Sequence, residues 1–232
     1  MYAIKFLKKE DPDIINLQEV SSGMGTTNSD YFDVYESLQK ALGHEYAFYS
    51  PTIEGRFAGH FVSEGQLVLS KYPIIYKKAI YMHGKPNFHS AFVGKKDRNV
   101  EVLQHVKIKI GKKVVNDLNY HGYLIWGTRM GNRRTESYSK KILKLMNSAK
   151  EGEYVVLSGD FNLSPKSESL KIISGTCPDL ITKFKIKTTR NELSAEKTPV
   201  DNIFVNQETK VKSFKVPMIY ISDHLPLVME FE

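Results

Sequence analysis

The chain has 232 residues, 41% of them apolar, enough for one substantial core and without the compositional bias of a disordered or fibrous chain. Its single cysteine, Cys177, excludes an internal disulfide, and no apolar run approaches the roughly 20 residues of a membrane-spanning helix. A formal net charge of +7, from 33 Lys and Arg against 26 Asp and Glu, favours an anionic partner such as a nucleic acid or a phosphorylated small molecule.

No linker, low-complexity tract or internal repeat divides the chain, so one domain over residues 1–232 is expected, as a monomer. The amino terminus lacks the pattern of a signal peptide, which makes cytoplasmic residence the expectation. YAIKFLKKED (2–11) has helical spacing, with Ile4 and Leu7 inward beside Phe6, and Pro12 stops it before the strand DIINL (13–17). From Asp30, the spacing of Tyr31, Val34, Leu38 and Leu42 predicts a second helix that ends at Gly43. Strand patterns follow at YAFYS (46–50), QLVLS (66–70), KKAIYM (77–82) and VEVLQHVKIKI (100–110). KIKIGKK (107–113) reads as two strands turning at Gly111, its lysines facing water or contacting nucleic acid. Residues 135–149 give the clearest helix, with Tyr138, Ile142, Leu145, Met146 and Ala149 in one stripe and Lys140, Lys141 and Lys144 facing out. A short helix at 167–174 leads to a final pair of strands, VDNIFV (200–205) and LVMEFE (227–232). Strands with a few intervening helices predict two packed sheets with helices outside.

Acidic, amide and imidazole groups gather at the ends of apolar runs. YVVLS (154–158) reads as a buried strand that must turn at Gly159, so Asp160 and Asn162 emerge at its carboxyl end, and Pro165 closes the loop. Side chains two apart on an extended segment point the same way. SDHLP (222–226) places Asp223 and His224 where the last strand begins, and Glu19 ends the strand IINLQ (14–18). Hard cations such as Mg²⁺ take carboxylate and amide oxygens, which suits Glu19, Asp160, Asn162 and Asp223; zinc would want clustered His and Cys.

His121, after VVNDLNY (114–120), and His224 can flank a phosphate, one as base and one as acid, with Asp201 and Glu64 as the candidate orienting carboxylates. His44, His60, His83, His89 and His105 have no acidic motif around them and read as structural. Arg98, Arg129 and Arg190 are candidates to bind substrate phosphate, since a guanidinium grips two oxygens at once. Arg129 and Arg190 carry more weight, because the first lies in the loop after His121 and the second shortly before Asp201. Trp126, in the same loop as Arg129, reads as capping the core, with stacking on a base as the alternative.

The ordered segments LQEV (17–20), SEGQLVLSKYPI (63–74), YHG (120–122), LSGDFNLSP (157–165), VDNIFV (200–205) and SDHLPL (222–227) resemble the endonuclease/exonuclease/phosphatase superfamily, with its deoxyribonuclease I-like fold. GDFN and SDH carry the resemblance, and it spans nearly the whole chain. It implies a four-layer α/β/β/α sandwich of two mixed β-sheets flanked by helices, dependence on Mg²⁺ or Mn²⁺, and phosphoester hydrolysis by direct attack of water. It further implies that Glu19 binds metal and that Asp160 and Asn162 orient the water and stabilise the transition state. Asp223 and His224 match the family's terminal pair, Asp201 the acid that holds His224, and His121 the second histidine, with Glu64 as its partner.

Two departures stand out. The family's usual first strand, ending in an Asn after Trp or Tyr, is not found ahead of residue 2, and its loss would remove one metal contact and a central strand. Asn202 stands where an aromatic often follows the family's Asp. The function expected is a Mg²⁺-dependent phosphodiesterase, a nuclease acting on DNA or RNA. The rivals are a phosphatase or phosphodiesterase for a small or lipid-linked phosphate, and a phosphate-binding domain without turnover.

Overall fold

The computed structural model describes residues 2–22, 34–57, 60–86 and 100–232, so Asp30, Tyr31, His89 and Arg98 lie outside the described residues. The chain divides into two compact units, Met1–Ile110 and Gly111–Glu232.

The first unit holds α1 (Tyr2–Glu10), β1 (Ile14–Ser22), α2 (Val34–Leu42), β2 (Tyr46–Phe57), β3 (His60–Ser70), β4 (Ile74–His83) and β5 (Glu101–Ile110). β3 lies between β1 and β2, antiparallel to both. The period-2 alternation of QLVLS assigns its two faces. Leu67 and Leu69 join Ile15, Val20 and Leu38 in a cluster on which Ile4 and Leu7 of α1 and Val34 and Leu42 of α2 pack. In α1 it is Phe6 that is buried, more deeply than the expected Ile4 and Leu7. The opposite face meets the β4–β5 antiparallel pair through two fully buried glutamines: Gln66 donates to Val102 O at 2.9 Å, and Gln104 donates to Phe48 O at 2.9 Å and Ser50 Oγ at 3.0 Å. Buried amides must be paired, and these pairs link the two strand layers at fixed points.

β1 does not stop before Glu19. It runs on to Ser22 through a bulge between Leu17 and Val20, where Glu19 adopts φ 55° and stays exposed. The expected strand end is therefore a bulge, a device that re-aims a side chain within a continuing strand.

The second unit holds β6 (Lys113–His121), α3 (Arg133–Met146), β7 (Tyr154–Asp160), α4 (Glu168–Ser174), α5 (Leu180–Lys183), β8 (Asp201–Val205), β9 (Val211–Lys215) and β10 (Val228–Phe231). β7 pairs parallel with β6 and antiparallel with β8. Leu118, Val155, Leu157, Ile203 and Phe204 are buried along these strands, with Ile142 of α3 and Leu170 and Ile173 of α4 also buried. Asn132 caps α3 by accepting from Arg134 N and Thr135 N, while Thr135 Oγ1 receives Asn132 N in return, and Thr135 Oγ1 also meets Ser169 Oγ of α4 at 2.7 Å. VDNIFV and LVMEFE are not a pair: β8 joins β7, and β10 joins β9, whose mixed pattern VKSFK gave no strand signal.

Candidate active site

The register of the second unit's sheet sets His121, Asp160 and Asp201 side by side. His121 ends β6 opposite Asp160 at the end of β7, and Asp160 pairs in turn with Asp201 at the start of β8. Gly159 makes this possible. Its φ is 140°, and a Cβ there would lie 1.9 Å from Tyr120 O, so only glycine lets the strand turn this close to β6. Asn162 is not placed by strand alternation, as the extended reading had it. Its φ of 53° turns the chain back, and its N–H donates to Asp160 Oδ1 at 2.7 Å, an Asx-type turn that brings amide and carboxylate together.

His224 arrives from the far end of the chain. Residues 189–191 pair with 223–225, through an Arg190–His224 bridge and through Leu225 N–H to Thr189 O at 2.7 Å and Asn191 N–H to Asp223 O at 3.0 Å. His224 Nδ1 donates to the Asp201 carboxylate, 2.9 Å from Oδ1 and 3.0 Å from Oδ2, which leaves Nε2 as the basic nitrogen. Nε2 lies 3.8 Å from Asp160 Oδ2 and 4.0 Å from Asp223 Oδ2, distances that leave room for a bridging group. Thr189, which no sequence signal marked, completes the dyad. Its hydroxyl accepts from Val200 N and Asp201 N and must therefore send its own proton to Asp201 Oδ2, at 2.6 Å.

Burial and the neighbouring Asp201 charge push the Asp160 carboxyl up to about 6, against the opposing pull of His121 and His224. Burial disfavours the charged form of His224, but the hydrogen bond and charge of Asp201 outweigh it and hold its pKa above the usual histidine value.

Both arginines expected to contact substrate are tied to protein carboxylates. Arg190 is buried, and its Nη1 donates to Asp223 Oδ2 at 2.9 Å and Ser194 Oγ at 3.3 Å. Arg129 donates to both oxygens of Glu196 and, through Nη1, to Asn162 Oδ1 at 2.9 Å. Glu196, also unmarked in the sequence, has its pKa lowered by that Arg129 contact. Trp126 does not cap the core; it is 86% exposed. Among the described residues its ring, in the loop between β6 and α3, is left largely uncovered, so the usual burial of tryptophan does not apply. Glu19 and Glu64 belong to the first unit, Glu64 half-buried on β3.

Ligand-type atoms of Asp160, Asp201 and His224 lie within 4.8 Å of one another. The oxygens of Asp201 already accept from His224 and Thr189, so Asp160 Oδ2 is the better cation ligand of the two carboxylates. A carboxylate whose pKa is raised by burial and by a second carboxylate, with Asp223 Oδ2 4.0 Å from the adjoining His224 Nε2, fits a hard divalent cation.

A His–Asp dyad, a second histidine and an acid–amide pair are thus gathered at one end of a sheet in an α/β protein. The chain is a member of the Endonuclease/Exonuclease/phosphatase family, whose model matches residues 2–224. Members of this family are phosphoester hydrolases that generally use divalent metal ions. By sequence the chain matches no curated protein. Among solved structures it is similar to an endonuclease/exonuclease/phosphatase from Bacteroides vulgatus, with TM-score 0.72 and 19% identity over 100% of this chain and 88% of that one. It is also similar to the Bacteroides thetaiotaomicron mannosyl-6-phosphatase Bt3783, with TM-score 0.67, 17% identity and coverage of 100% and 89%. A humanized D. rerio TDP2 matches with TM-score 0.64, 15% identity and the same coverage. These likenesses establish the shared α/β sandwich fold.

Proposed function

We propose that the protein is a Mg²⁺-dependent phosphodiesterase, a nuclease that hydrolyses nucleic-acid phosphodiester bonds, with Mn²⁺ able to replace Mg²⁺. The observation that carries this reading is the His224–Asp201 dyad, whose Nε2 faces Asp160 Oδ2 across 3.8 Å. In that gap His224 takes a proton from water as the water oxygen bonds to phosphorus and the bond to the leaving oxygen breaks. His121 supplies a proton to the leaving oxygen. Asp201 keeps the His224 tautomer and stabilises the imidazolium, and Asn162 donates to the phosphate. Asn162, its Oδ1 taken by Arg129, serves as a donor, while Asp160 and Asp223 would hold the cation. When bound, it offsets the negative charge gathering on the phosphate oxygens. Arg190 contributes by holding Asp223.

The net charge of +7 supports a polyanionic substrate, and exposed Trp126 and Tyr220, a few residues from His121 and His224, offer ring faces for unpaired bases. A second reading, a phosphatase for a small phosphate ester, is favoured by the likeness to the mannosyl-6-phosphatase. Supercoiled plasmid, single-stranded oligonucleotides, mannose 6-phosphate and bis-p-nitrophenyl phosphate, each with Mg²⁺, Mn²⁺ or EDTA, separate the two. Metal-dependent nicking that is lost in Asp160→Ala is the expected result. Turnover of small esters alone would move the assignment to the phosphatase, and no turnover at all would make this a phosphate-binding domain.

A further inference from the structure

An asparagine amide can offer a substrate either its N–H or its C=O, and the neighbours of Asn162 leave it only one choice. Arg129 has donors alone, so Nη1 at 2.9 Å fixes Oδ1 on its side; Gly122 O only accepts, so at 3.0 Å it fixes Nδ2 on the other. One Nδ2 hydrogen is spent on Gly122, so the second is the one donor the amide has left, while Oδ1 is held toward Arg129. The backbone is pinned as well, by Asn162 N–H to Asp160 Oδ1 at 2.7 Å. Arg129 is itself held by Glu196 in a bidentate pair, Nε to Oε2 at 2.9 Å and Nη2 to Oε2 at 2.7 Å, with Nε also 3.1 Å from Oε1.

We propose that Arg129 and Glu196 are a positioning pair that presents Asn162 to the scissile phosphate as a fixed N–H donor, with Glu196 keeping the guanidinium off the phosphate. This rests on the hydrolase reading above. A donor already aimed at the charge that develops on the phosphate needs no reorganisation during the reaction. Without Arg129 the amide is free to turn its Oδ1 toward the phosphate oxygens, where it repels them. Without Glu196 the guanidinium becomes a competing phosphate ligand that pulls away from Asn162. Neither residue needs to touch substrate, and Glu196 acts entirely through Arg129.

Two readouts test the pair in the full chain. In metal-free protein labelled with ¹⁵N-asparagine, the Asn162 side-chain amide, assigned by its absence in Asn162→Asp, should exchange with water about 10-fold faster in Arg129→Met, because its orienting partner is gone. With Mg²⁺ and bis-p-nitrophenyl phosphate, Arg129→Met should lower kcat by about 10- to 100-fold with KM within about threefold. Glu196→Gln should show a smaller loss of the same kind, and the double variant should be no worse than Arg129→Met. Unchanged amide exchange in Arg129→Met overturns the proposal. So does a rise in KM at constant kcat, which marks a direct phosphate clamp. Should Arg129→Met fail to fold by circular dichroism, Arg129→Lys, which cannot serve Asn162 and both Glu196 oxygens together, takes its place with the same expectations. A wild type without turnover on any phosphoester refutes the hydrolase reading, while the exchange measurement still decides whether Arg129 orients the amide.

Discussion

Asp160 and Asp201 face one another across the β7–β8 antiparallel pair, and His224 reaches toward both, with Nδ1 2.9 Å from Asp201 and Nε2 3.8 Å from Asp160. Two buried carboxylates this close repel, and the fold tolerates them because one is neutralised by imidazole and hydroxyl donors. The other keeps an oxygen turned toward His224 Nε2.

His224→Ala and Asp160→Ala should each remove at least about 100-fold of the activity while leaving the fold intact. Turnover on the preferred substrate, read beside far-UV circular dichroism, tests this, and a fully active variant of either residue would overturn the site.

Asp160 charges at a cost in the cation-free protein. Its folded pKa of about 6 lies above the 3.8 of an ordinary aspartate, so the folded state binds the extra proton and its stability falls as pH rises between those values. Asp160→Asn should therefore be more stable than wild type at pH 7 in EDTA, by on the order of 1 kcal/mol, with the difference shrinking toward pH 4. Melting curves across that range would show it, and an advantage independent of pH would contradict the assignment.

Cation binding should reverse that cost. Mg²⁺ or Mn²⁺ at about 100 times its Kd should add roughly 2.7 kcal/mol of stability, EDTA should abolish both stabilisation and turnover, and Asp160→Asn should respond far less. Thermal shift titrations measure the effect directly.

The pH profile should report the dyad. His224 must be neutral to accept a proton, and Asp201 holds its pKa up, so activity falls on the acid side as pH drops through that raised value. Asp201→Asn removes the negative charge, lowers the His224 pKa and should shift the acid limb to lower pH, with a lower plateau in kcat. An acid limb that does not move would mean another group controls it.

Gly159→Ala should be among the most destabilising single substitutions in the second unit. A methyl there lies 1.9 Å from Tyr120 O and φ is 140°, so strain and overlap together should cost about 3 kcal/mol or more, read by urea denaturation.

Local patterns carried much of this protein. The apolar runs at 66–70, 114–120 and 154–158 were strong enough to fix their strands, and the helical stripe from Tyr138 to Met146 fixed α3. Punctuation by Gly159 and Pro165 showed where the chain must turn, because backbone sterics act over a few residues. The ordered motifs GDFN and SDH marked Asp160, Asn162, Asp223 and His224 as one set. What the sequence by itself determined was thus the type of the strongly patterned elements, though not of α5 or β9, and the identity of polar groups at strand ends.

Tertiary structure decided how those groups meet. The register that lines up His121, Asp160 and Asp201 is a property of strand pairing, set by side chains on three separate segments. The pairing of Asp201 with His224, 23 residues apart, was expected from the motif order, whereas Glu196 reaches Arg129 across 67 residues, a contact with no local signal because Glu196 alone reads as an ordinary surface charge. Thr189 passed unnoticed for the same reason, and Trp126, unburied in its loop, went against the habit of its residue type. Backbone propensity is short-ranged and legible residue by residue, whereas hydrogen-bond partnership is fixed only when packing brings distant segments within 3 Å of one another.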